Sequence, residues 1–233
     1  RQARKAQPNM DIVVTHFVNP GMLELLRSGK MPIPMAAHEK VLKAYDVSTI
    51  FLAREVADRI DANKLTWKEF GGTHPGPAGN AIAAGMIGKL LTAAWDKPLG
   101  KKPEPHPVPL AVLDEGSYFD GQFLSPAKSA NDAWTWHVPE WKKIPGGFRK
   151  NPFGGMELLT ATEVGKETIV KFKGHALGAY VLAGPDAGMI EASIDGGQWK
   201  RVDLYHHYSR GLHYPRTVMF AADLKAGQHT ARL

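Results

Sequence analysis

The sequence has no cysteine among its 233 residues. A disulfide framework, a thiolate zinc site and a cysteine nucleophile are therefore excluded, and the redox compartment leaves no trace. It also has no apolar run near the ~18 residues that a membrane-spanning helix needs. No Gly-x-Gly occurs, which removes the dinucleotide fingerprint. The phosphate-binding loop and the Gly-x-Ser-x-Gly elbow are missing too, and His38-Glu39 is not continued as His-Glu-x-x-His. No cofactor and no metal centre is expected. The formal net charge is +6, but the basic residues are dispersed apart from Arg1 to Lys5 and a Gly100-Lys101-Lys102 patch. Without a basic stripe or a binding motif, a nucleic-acid partner is not expected, and the excess of base suits solubility or acidic glycans.

What is present reads as a globular protein, 43% hydrophobic and 22% charged. The opening RQARKAQPNMD is the polar end of a helix followed by a turn and not a signal peptide. DIVVTHF, residues 11–17, is a β-branched run suited to a buried parallel strand. Helical patterns follow at 38–45 and 53–60, then the loop TWKEFGGTHPGPAGN and a helix over 81–95 whose small residues suit tight packing on a sheet. The stretch DKPLGKKPEPHPVP, 96–109, has prolines that forbid regular helix and reads as an interdomain linker. Beyond it, short alternating runs bounded by turn residues replace helical periodicity: ETIVKFKG, ALGAYVLAG, GMIEASIDGG, WKRVDLY, TVMFAADL and HTARL. Their spacing predicts a β-sandwich, with Asp195-Gly196-Gly197 as a tight hairpin turn.

Several residues stand out for chemistry. His74 lies between two glycine-rich turns, where the residues alone read as a loop histidine that caps the following helix or bonds the backbone. His16, at the C-terminal end of the predicted parallel strand, sits where open α/β sheets place ligands, or else in the core. Asn19 in the same loop offers an amide for an oxyanion. Asp58, Asp61 and Glu69 are the carboxylates near His74 in sequence. YHHYSRGLHY, 205–214, gathers three histidines and three tyrosines. Adjacent His206 and His207 on a strand would face opposite ways, so at most one joins His213 in a metal set, and an aromatic platform for sugar rings is the better functional reading. Trp134 and Trp136 share a face if extended, which suits sugar stacking or domain docking.

The block HPGPAG, 74–79, leading into a small-residue helix, resembles the last sequence block of the SGNH (GDSL-like) hydrolases, Asp-x-x-His-Pro with a glycine further on. RQARKAQPNMDIVVTHF and AAHEKVLKAYDVSTIFLAREVADRI resemble the helix-to-strand passage and paired helices that precede that block, so the likeness covers roughly Arg1 to Trp95. FKGHALGAYVLAGPDAGMIEASIDGG and LKAGQHTARL are similar to β-sandwich domains appended to some bacterial carbohydrate-active members. The resemblance implies a serine esterase: a serine attacks an ester carbonyl, a histidine acts as general base, an aspartate orients it, and a glycine amide and an asparagine complete the oxyanion hole. Only the histidine carries over, to His74. The aspartate position is Gly71, and no Gly-Asp-Ser occurs in the sequence, so the nucleophile and oxyanion blocks are expected upstream of Arg1.

The expectation is therefore an α/β, three-layer SGNH-like (flavodoxin-like) parallel-sheet portion over 1–97, incomplete at its N-terminus. A Pro-rich linker over 98–109 and an all-β, jelly-roll-like sandwich over 110–233 would follow. His74 is the expected catalytic residue, and His16, Asn19, Trp134, Trp136 and His213 are the substrate-binding candidates. The substrate implied is an acylated carbohydrate, the setting secreted or periplasmic, with a missing N-terminal segment of the same protein as partner. A non-catalytic glycan-binding protein on a hydrolase scaffold is the alternative.

Overall fold

A computed structural model describes residues 1–96, 98, 100, 102–146 and 153–233. Lys97 and Leu99, and Lys101 of the basic patch, lie outside the described residues. The chain forms two compact units, Arg1–Asp120 and Gly121–Leu233.

In the first unit, α1 (Gln2–Ala6) precedes β1 (Val13–Thr15), which pairs in parallel with β2 (Ser48–Ile50) in the register Val13 to Ser48, Val14 to Thr49 and Thr15 to Ile50. Between them lie α2 (Pro20–Arg27) and α3 (Ile33–Ala44). A parallel pair needs such a crossover. The start of α2 is fixed locally, since Asn19 accepts from the Met22 amide at 2.9 Å and Pro20 supplies a helical φ at the first position.

After β2 comes α4 (Leu52–Asp61), whose Leu52, Ala53, Val56 and Ala57 are fully buried, while Glu55 and Arg59 pair at i,i+4 on its outer side. The helix α5 (Trp67–Phe70) begins with a reciprocal capping box between Thr66 and Glu69. Then α6 runs from Pro77 to Trp95. Phe70, Leu26, Val18 and Met35 join the α4 face in one core.

Two expectations for this unit change. The helix α6 buries only Gly79 and Ala83 among its residues, with Ile82 and Met86 partly buried against the core, and a Cβ at Gly85 or Gly88 would meet nothing within 4 Å. Likewise β1 is not a fully buried strand. Val13 is 43% exposed, and β1 has β2 as its one paired strand among the described residues. Phe17, Ile33 and Val41 are exposed as well.

The Pro-rich stretch belongs to the first unit. His106 donates its amide to the Pro8 carbonyl at 2.9 Å and its ring meets Asp11 at 2.9 Å, while Arg1 donates to the Pro109 carbonyl at 2.7 Å. Prolines leave carbonyls free to accept such bonds while they cannot donate, so His106 and Pro109 are tied to Pro8, Asp11 and Arg1.

The second unit is antiparallel. Short β3 (Thr135–His137) pairs with β4 (Leu158–Thr160). A four-stranded sheet has the order β5 (Ile169–Gly174), β10 (Gly227–Arg232), β7 (Met189–Ile194), β8 (Lys200–Asp203), and β6 (Leu177–Ala183) pairs with β9 (Tyr214–Ala221). Phe172, Ala192 and Ala231 from the four-stranded sheet and Leu177, Val218 and Phe220 from the pair form one core. Asp195 (φ 51°) and Gly196 (φ 75°) both lie in the left-handed region, as a two-residue hairpin turn requires.

Candidate functional site

The loop that carries His74 is built by closely approaching backbone. Gly71 ends α5 at φ 102°, where an L side chain is strained. A Cβ there would overlap the amide nitrogen of Gly76 and lie 2.7 Å from its Cα. The Gly76 amide donates to the Phe70 carbonyl at 2.9 Å and the Gly72 amide to the Trp67 carbonyl at 3.2 Å. Gly79 presses the first turn of α6 against Phe70 so closely that a Cβ would overlap the Phe70 carbonyl oxygen. Phe70 itself is fully buried.

On this tight frame His74 is exposed, and no hydrogen bond or ion pair ties its ring to a described residue. An imidazole so placed is open to a substrate proton but has no carboxylate to fix its tautomer. Two of the three carboxylates near it in sequence are otherwise engaged. Glu69 accepts from the amide and hydroxyl of Thr66, each at 2.7 Å, and these bonds, the hydroxyl's first, hold its pKa below the ordinary value. Asp61 pairs with Arg27 at 2.5 Å. Asp58 lies on α4.

His16 is buried and its Nε2 stands 2.6 Å from Glu39 Oε1. Its amide donates to the Ile50 carbonyl at 2.9 Å, extending the β1–β2 ladder, and its carbonyl accepts from Ala53 at 2.9 Å, which ties the start of α4 to the end of β1. Phe51 meets the ring edge-on at 5.2 Å. The partner Glu39 gave no sequence signal, because it lies 23 residues away on a helix that only the crossover brings back. Asn19 uses its side-chain oxygen on the α2 cap.

The remaining candidates lie in the second unit. Trp134 is half-buried, with Nε1 donating to the Lys166 carbonyl at 3.1 Å. Trp136 sits opposite Leu159 in the β3–β4 pair. His213 is buried, its Nε2 3.1 Å from Asp186 Oδ1 and its ring edge-on to Trp141. No group of three or more histidine or carboxylate side chains converges to hold a metal among the described residues. No helix among them is long and apolar enough to cross a membrane.

No family model matches the chain, and neither does any curated protein. Solved structures do. The crystal structure of a two-domain esterase (CEX) active on acetylated mannans, co-crystallized with mannopentaose, matches with a TM-score of 0.68 at 13% identity. A further crystal structure of a two-domain esterase (CEX) active on acetylated mannans matches with a TM-score of 0.66 at 14% identity. Each match covers 100% of this chain, which spans 59% and 60% of those chains respectively. Across both of its units, the chain has the fold of part of these two-domain esterases.

Proposed function

We propose that this chain is part of a serine esterase of SGNH type that removes acyl groups, acetyl first among them, from a mannan-class polysaccharide. The observation that carries the reading is the match of both units, over the whole chain, to two-domain esterases active on acetylated mannans. In this reading the three-layer parallel sheet is completed by further strands beside β1, whose free edge and exposed Val13 and Phe17 suit that covering. The second unit is a jelly-roll-like sandwich. The nucleophilic serine and the oxyanion donors lie outside this chain, and the setting is secreted or periplasmic.

His74 is then the general base. A serine hydroxyl is a weak nucleophile until a base takes its proton, and the same imidazolium returns the proton to the departing sugar oxygen. The exposure of His74 leaves its ring free for both transfers. Its orientation comes from the substrate-bound state or from a backbone acceptor, because the Gly71 position admits no side chain. The test is acetate release from acetylated mannan by the full-length protein, wild type against His74→Ala. Turnover that does not change on His74→Ala overturns the assignment.

Gly71 also favours a second reading, a glycan-binding protein on a hydrolase scaffold without turnover. Binding of mannan oligosaccharides by a full-length protein that releases no acetate would select it.

A further inference from the structure

One end of the second unit carries rings that the esterase chemistry does not use. They lie between β8 and β9, around a short 3-10 turn over His207–Arg210. The His206 ring stacks on Tyr214 at 4.6 Å and 14°. The His207 ring stands 4.1 Å from His206 and 4.0 Å from Tyr208, and Tyr208 lies 5.3 Å from Tyr214.

This loop is braced from below. His206 Nδ1 accepts the Tyr208 amide at 3.3 Å, and fully buried Ser209 accepts the His206 amide at 3.1 Å. The Arg216 guanidinium donates to the carbonyls of Leu204 at 3.4 Å and Tyr205 at 2.8 Å. The Leu204 amide reaches the Gly188 carbonyl at 3.1 Å, joining this loop to the one between β6 and β7. That second loop is pressed onto the buried His213. A Cβ on Gly184 would overlap His213 Nε2 and lie 2.5 Å from Asp186 Oδ1, the acceptor facing that imidazole.

Despite this bracing, part of the cluster faces solvent. Tyr208 is 56% exposed and His207 is exposed, while His206 and Tyr214 are half-buried. Rings held for packing alone would be covered. Rings that are rigid and uncovered lose little entropy when a ligand settles on them.

The chemistry of the patch selects the ligand. Aromatic faces take the C–H faces of a pyranose, and phenol and imidazole edges exchange hydrogen bonds with its hydroxyls. Arg216 directs one guanidinium nitrogen at two carbonyls and so serves to brace the loop. Protonation of His206 is disfavoured, by burial first and then by the charges of His207 and Arg216.

We propose that His206, His207, Tyr208 and Tyr214 form a platform that binds a neutral hexose chain. The choice of a mannan as that chain rests on the esterase reading above, whereas the rings by themselves suit any neutral pyranose.

The experiment is calorimetric titration of the full-length protein with mannopentaose, cellopentaose and polygalacturonate. Mannopentaose is expected to bind, with Tyr208→Ala weakening it by about tenfold and Tyr208→Trp restoring it to within about threefold, as a stacking surface predicts. Circular dichroism melts confirm that each variant stays folded. Affinity unchanged in Tyr208→Ala, or binding of polygalacturonate alone, overturns the platform. Cellopentaose binding through Tyr208 without mannopentaose binding overturns the mannan assignment. Mannopentaose binding by a full-length protein that releases no acetate sinks the esterase reading and leaves the platform standing. Acetate release with binding indifferent to Tyr208→Ala does the reverse.

Discussion

A side chain at Gly71 has nowhere to go, because its first atom would overlap the amide nitrogen of Gly76. The position that would carry an orienting aspartate in the resembled family is closed here by backbone packing as well as by residue identity. Gly71→Ala combines that overlap with a left-handed φ of 102°. It is expected to destabilise the first unit by about 3 kcal/mol, read from urea denaturation. Gly71→Asp should lose as much without raising ester turnover. A folded, more active Gly71→Asp protein would show that the loop can reopen.

His74→Ala, by contrast, removes an exposed ring with no described partner. Its melting curve should match the wild type to within about 0.5 kcal/mol. Acetate release from the full-length protein should fall by roughly 10²- to 10⁴-fold, the range for loss of a positioned base. Equal losses of stability and activity would instead mark His74 as a structural residue.

The His16–Glu39 pair makes the opposite prediction. Glu39→Ala leaves the buried Nε2 of His16 without its acceptor. A cost of about 1 to 3 kcal/mol is expected from the unpaired polar group. Replacing both residues together, as His16→Phe with Glu39→Leu, should recover part of that loss if the pair is structural, because an apolar pair needs no partner. Denaturation of the single and double variants forms a cycle that measures the coupling.

In the second unit, His229 Nδ1 meets Asp195 Oδ2 at 2.7 Å and Nε2 donates to the Lys225 carbonyl at 2.8 Å. The bond to Asp195 is the main reason that the His229 pKa lies above its ordinary 6.5, and the bond to His229 is the main reason that the Asp195 pKa lies below its ordinary 3.8. A raised imidazole contributes stability that is full below the unfolded pKa and lost as pH rises through the folded one. A lowered carboxylate contributes stability that is full above its unfolded pKa and lost as pH falls through the folded one. The pair therefore acts fully between about pH 4 and 6.5. The melting-temperature gap between wild type and His229→Gln should be widest there and narrow toward pH 9. A gap that widens toward alkaline pH would contradict the assignment.

How far the sequence could be read varies with the range of the forces. The Asp195-Gly196 turn and α4 are legible because each depends on neighbours within a few residues, whereas Asn19, read for its amide, caps α2. The strands β5 to β10 follow from alternation alone. The Pro-rich composition reports that helix is forbidden and does not report that His106 bonds Pro8 or that Arg1 bonds Pro109. The burial of α6 was overstated, since small residues permit close packing but do not supply the neighbour.

The candidate site divides in the same way. His74 and its bracketing glycines stand out from local pattern, because φ restrictions and proline geometry act over one or two bonds. That Gly71 excludes a carboxylate, that Glu69 is held by Thr66, that His16 meets Glu39 and that His213 meets Asp186 became visible only in three dimensions. The sequence by itself determined local conformations, the strands of the second unit and a histidine presented on a tight loop, all set by backbone sterics and hydrophobic period. Only the tertiary structure decided which side chains keep free valences, because hydrogen-bond partners are chosen by chain crossings that no local pattern records.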